Sequence, residues 1–189
     1  GGANWKYFAI PAIIVIPVFY LAIATSPTRV NRIEAFLNPE QMAYQAKESL
    51  IAISTGGIWG KGLGQGIIKY GHLPEDTTDF IFAIICEELG FVGAIIIIAV
   101  FVWLAILGLM VVYRCPDKFG KLLAAGITLT IIIQAAINIG VVTVVLPTKG
   151  IPLPFISAGG TSMLISACAV GILLNIARQC PPKMELSND

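Results

Sequence analysis

Between Phe80 and Tyr113 the chain runs for 34 residues with only two charges, Glu87 and Glu88, side by side. Apolar residues here form a continuous block, not a stripe on one helix face, which is the pattern of a segment solvated by lipid. Three further blocks are readable, at about Trp5 to Thr25, Leu122 to Leu146 and Ser162 to Ala177. With 57% hydrophobic residues, 12% charged residues and a mean hydropathy of +0.86, the chain carries about half the charge of an ordinary soluble domain. These features predict an all-α, polytopic transmembrane helix bundle. The net charge of +1 comes without a basic tract or an aromatic ladder, so no nucleic-acid partner is expected.

The 80–113 block is too long for one crossing. Thirty-four helical residues would extend ~51 Å, against a hydrocarbon core of ~30 Å. Gly90 and Gly93 follow the two glutamates, so the block divides into a short acidic helix from Asp79 to about Leu89 and a spanning helix from about Phe91. Charges at such a depth persist only inside protein or at the interface. The spanning helices are then expected at about 5–25, 91–113, 122–146 and 162–178, with a large outer loop over 26–90. Pro11 and Pro17 interrupt the first, and Trp5, Tyr7, Tyr20 and Tyr113 lie near block ends as interfacial aromatics do.

Orientation follows from the short loops. Arg114 to Lys121 holds three basic residues in eight and is placed in the cytoplasm, with Lys6 at one end of the chain and Arg178 and Lys183 at the other. Segments 26–78 and 147–160 then face outward. In the first, Thr28 to Ala46 reads as short amphipathic helices at the interface, and Leu50 to Ile58 as a stretch that dips into the membrane. The opening residues are Gly1-Gly2-Ala3-Asn4, which suggests a piece of a longer membrane protein. Cys86, Cys115, Cys168 and Cys180 form no CxxC pair, so neither disulfide nor metal use is expected, and His72 reads as a solvated loop residue.

The run Gly56 to Gly66 is rich in glycine but is no Walker A, since no Lys-Ser or Lys-Thr follows at the required spacing. A glycine-rich re-entry turn is the favoured reading, although backbone amides in such a run could meet a lipid pyrophosphate. In Leu73 to Phe82, Thr78 or Asp79 is a candidate N-cap for the helix that follows. The chemical alternative makes Asp79 a general base at the mouth of an outward cavity. Glu87, eight residues on, would broadly share its face, while Glu88 would pair structurally. Pro147 to Ser162 is a rigid non-helical link in which Gly159-Gly160 permits close backbone approach. Lys149 in that link either snorkels to headgroups or pairs a carboxylate or pyrophosphate. Gln134 and Asn138, four apart on one helix face, are expected to hydrogen-bond between helices.

Several strings together are specific: Tyr44-Gln45 with Ser49 to Ile53, the glycine run, LPEDTTDFIFAIICEELGFVG, QAAINIGVV and LPTKGIPLPFISAGGTS. In order and at family spacing they resemble the SEDS family, which includes FtsW, RodA and SpoVE, and match its C-terminal part. Pro147 to Gly150, with Lys149, looks more like FtsW or SpoVE than RodA. Ala158 and Thr161 depart from the family's usual Tyr and Ser.

The resemblance implies a peptidoglycan glycosyltransferase that polymerises lipid II at the outer face of the bacterial cytoplasmic membrane, at the division septum. It implies Asp79 as the catalytic residue, Glu75, Glu87, Lys149 and Ser157 as substrate-binding residues, and a class B penicillin-binding transpeptidase among other divisome membrane proteins as partners. No firm cofactor follows; either basic groups or a divalent cation, Mg or Mn, would neutralise the pyrophosphate. Rival readings are a lipid II flippase, a non-catalytic divisome scaffold, and an elongation or sporulation paralogue.

Overall fold

The structure, a computed structural model, describes residues 11, 13, 15, 17, 18, 21, 25, 26, 44–66, 79–147 and 150–180. The chain separates into two compact units, Gly1–Ala43 and Tyr44–Asp189. In the first, the described residues from 11 to 21 are helical, and Thr25 closes the segment with its amide and hydroxyl both donating to Leu21 O. The expected interfacial helices over 28–46, together with Trp5, Tyr7, Tyr20, His72, Glu75, Thr78 and Lys149, fall wholly or largely outside the described residues.

The described residues of the second unit are all-helical or irregular, in the order α1 (Tyr44–Gly56), α2 (Ile81–Arg114), α3 (Lys118–Val142) and α4 (Gly160–Gln179). The last three are long and apolar enough to cross a membrane. Their outer surfaces carry large apolar side chains such as Trp103, Ile96 and Leu164, all more than half exposed in the isolated chain. Water-soluble monomers rarely present such a surface, whereas lipid solvates it.

Helix α2 is two helical segments joined at a kink at Gly90, whose φ of 68° and ψ of −165° are accessible in practice to glycine alone. The break falls where length arithmetic places it. Helix α3 starts at Lys118 because Asp117 caps it, its carboxylate accepting from Gly120 N at 2.7 Å. It stops at Val142, four residues before the apolar block ends, in a Schellman turn. Val144 N donates to Val141 O and Val145 N to Gly140 O, and Val144 takes the left-handed position at φ 59°. Small residues let helices touch: a Cβ on Gly108 would stand 2.3 Å from Thr128 Oγ1.

The 115–117 turn and the 150–159 link mark two distinct ends of the unit. At one, Cys115, Ala124, Leu173 and Ile176 form a small cluster with Cys180 packed on it. At the other, the start of α2, the end of α3 and the link 150–159 converge. Ser49 of α1, fully buried, joins that end with Oγ 2.9 Å from Val142 O. The four cysteines are free thiols.

Candidate functional site

At the second end the chemistry centres on Asp79. It lies in a turn before the helix, and the N-cap of α2 is Phe80, which makes no side-chain cap bond. The expectation that Asp79 caps the helix is therefore corrected. Its carboxylate turns to the 147–159 link instead, so closely that a Cβ on Gly150 would stand 2.6 Å from Oδ2. Close approach was expected at Gly159-Gly160. There Gly159 only precedes α4, and a Cβ on Gly160 would meet nothing within 4 Å.

Gln134 and Asn138 do share one face of α3, but among the described residues their hydrogen bonds run to irregular segments and not to another helix. Gln134 Nε2 donates to Pro152 O at 3.0 Å. Asn138 Nδ2 donates to both Asp79 O at 2.8 Å and Ile151 O at 2.6 Å. Irregular backbone at membrane depth needs partners from protein, and α3 supplies them. The link is held further along by Ser157. This residue is 4% exposed, and its Oγ accepts from Leu153 N at 2.7 Å, while Leu153 is fully buried. Ser157 thus secures the turn that carries Phe155 at φ 66°.

The glycine run has a different task from the one its composition suggests. The break at Gly90 takes carbonyls before it and amides after it out of the helical ladder. Lys61 N and Gly62 N donate to Glu87 O and Glu88 O, and Phe91 N and Val92 N donate to Gly57 O and Ile58 O. Amides spent this way cannot cradle a pyrophosphate, which removes that reading for Lys61 and Gly62. The two segments touch backbone to backbone: a Cβ on Gly60 would stand 2.2 Å from Glu88 O, and one on Gly90 2.3 Å from Gly60 N. Only glycine fits at either place.

Glu87 is fully buried beneath this run and pairs with Lys61 Nζ at 2.8 Å. It does not share a helix face with Asp79, because Asp79 precedes the first helical residue. A Cβ on Gly66 would stand 3.0 Å from Glu87 Oε2 and 3.3 Å from Glu88 Oε1. The pairing expected of Glu88 is absent at Oε1, a buried atom without a hydrogen-bond partner. Among the described residues no three His, Cys, Asp or Glu side chains gather as a metal site. Sequence reasoning missed Lys61 and Gly150, because neither has a pattern of its own. Each acquires meaning from a segment distant in sequence.

The profile of the FtsW/RodA/SpoVE family, described as cell cycle protein, matches residues 1–181. The chain belongs to that family. Stage V sporulation protein E of Bacillus subtilis is 42% identical over 181 residues, covering 94% of this chain and 50% of the relative. A protein named probable peptidoglycan glycosyltransferase FtsW in Trichlorobacter lovleyi is 46% identical over 168 residues, covering 87% and 44%. The chain spans about half the length of the curated relatives it matches. Its fold resembles a chain in a solved structure described as "Structural coordination of polymerization and crosslinking by a peptidoglycan synthase complex". The TM-score is 0.68 at 23% identity, over 93% of this chain and 50% of that one. With three helices among the described residues long and apolar enough to cross a membrane, this chain is a multi-pass membrane protein.

Proposed function

We propose that this chain forms the Asp79-bearing part of a peptidoglycan glycosyltransferase that polymerises lipid II at the outer face of the bacterial cytoplasmic membrane. The observation that carries the reading is the position of Asp79. Its carboxylate lies against Gly150, at the bundle end opposite the basic Arg114–Lys121 turn. By the positive-inside rule that turn is cytoplasmic, so Asp79 faces the side where lipid II presents its sugars. Relatives named peptidoglycan glycosyltransferase support the reaction class.

In this reaction Asp79 removes the proton from the acceptor sugar's 4-hydroxyl as its oxygen attacks the donor's anomeric carbon. The bond from that carbon to the pyrophosphate oxygen breaks, and undecaprenyl pyrophosphate leaves. Lys149, adjacent in sequence to Gly150, is proposed to balance the leaving group's charge, and Glu75 to bind substrate. Glu87 and Ser157 act through the walls they hold, the glycine run and the 153–157 turn. A Mg or Mn ion would add charge neutralisation at the pyrophosphate, and no step is assigned to it. A class B penicillin-binding transpeptidase and other divisome membrane proteins are the proposed partners, at the septum.

The test is polymerisation of lipid II by the purified full-length protein. Asp79→Ala is expected to abolish it while leaving septal recruitment intact. Normal polymerisation by that variant sinks the base assignment, and lipid II transfer across liposomes without polymerisation would favour a flippase.

A further inference from the structure

Asp79 and the 150–152 segment come from distant parts of the chain, and one side chain bonds both. Asn138 is 1% exposed, and its Nδ2 sends one hydrogen to Asp79 O and the other to Ile151 O. The amide orientation is dictated by chemistry, because an oxygen placed there would face two carbonyl oxygens. Phe80 O begins the α2 ladder by accepting from Ala83 N and Ile84 N, so Asp79 O lies outside the helix and depends on a partner from elsewhere. Asn138 Oδ1 is buried without a hydrogen-bond partner. An apolar residue of the same shape would avoid that cost but forfeit both bonds, so what the amide contributes here is its NH2 group.

We infer that Asn138 is a positioning residue for the reaction proposed at Asp79, its single amide fixing the spacing between the Asp79 carboxylate and Gly150; the inference rests on that proposed reading. Both carbonyls it bonds belong to the walls of this contact: Asp79 itself, and Ile151, next to Gly150. Loss of the two bonds frees the Asp79 turn from the link, and a general base displaced by about 1 Å loses rate on the order of 100-fold. Gln134 bonds the same link at Pro152 O, two residues beyond Gly150. It therefore serves as a control that removes one bond to the link and leaves both Asn138 bonds in place.

The experiment measures kcat and KM for lipid II on full-length protein, per folded molecule. Asn138→Leu is expected to lower kcat on the order of 10- to 100-fold with KM unchanged, and Gln134→Leu to lower it less. Asn138→Asp adds a pH readout. Its protonated acid donates one hydrogen bond, whereas its carboxylate repels both carbonyls. The activity ratio of Asn138→Asp to the parent should therefore rise as pH falls, while that of Asn138→Ala stays flat. A parental kcat in Asn138→Leu, or a flat ratio for Asn138→Asp, overturns the inference. If Asn138→Leu does not fold, the ratio alone decides. Parental polymerisation by Asp79→Asn would instead remove the base reading itself, whatever Asn138 does.

Discussion

The Asp79 carboxylate stands against the backbone of Gly150, leaving 2.6 Å between Oδ2 and the point a Cβ of residue 150 would occupy. A carboxylate at the end of a one-carbon side chain can yield only by rotating or by moving its turn. Gly150→Ala is therefore expected to reduce polymerisation by about tenfold or more, through misplacement of Asp79. Thermal stability and membrane level should stay near parental values. Parental activity in this variant would show that the contact does not set the position of the base.

Lys61 and Glu87 form an ion pair with one fully buried partner and one 28% exposed. Removing the cation leaves a carboxylate in a dry site, so Lys61→Met is expected to destabilise the protein by about 2–3 kcal/mol, below the range for wholly buried pairs because Lys61 reaches solvent. Thermal unfolding in detergent checks this. An unchanged midpoint would mean that Glu87 is held by other groups.

Gly90 and Gly57 both have positive φ, but their surroundings differ. A Cβ on Gly90 would strike Gly60 N at 2.3 Å and Ile58 O at 2.5 Å, while one on Gly57 meets nothing within 4 Å. Gly90→Ala is expected to prevent accumulation of folded protein. Gly57→Ala should cost only about 1–2 kcal/mol for the left-handed backbone. Quantifying folded protein by fluorescence-detected gel filtration separates the two outcomes.

Val144 occupies the left-handed position of the α3 Schellman turn, where glycine is the favoured residue and a β-branched one is strained. Val144→Gly should raise stability by about 1 kcal/mol, measured as a higher unfolding midpoint. A lower midpoint would mean that Val144 packing outweighs the backbone strain.

Burial and the neighbouring Cys115 thiol push Cys180 up to about 11, with Asp117 adding to the effect. Below that pH the thiol stays neutral and is a poor nucleophile. Alkylation of Cys180 by a maleimide should be slow at pH 7.5 and accelerate steadily toward pH 10. Rapid labelling at pH 7.5 would show an open thiol.

The sequence alone determined the class of fold. Its apolar blocks cannot be solvated by water at their length, and the 34-residue block cannot cross as one straight helix, which put the break at Gly90 in view. It also put Asp79 in view, because a charge beside an apolar block needs a reason. What the tertiary structure decided was which groups meet. The glycine run lost its phosphate-binding reading because its amides complete the broken ladder of α2. Gln134 and Asn138 changed from helix glue to loop anchors, because orphaned carbonyls of Asp79, Ile151 and Pro152 lay within reach. Periodicity and length report how each segment is solvated. Hydrogen-bond satisfaction of irregular backbone is settled between segments distant in sequence, and only the folded chain brings those together.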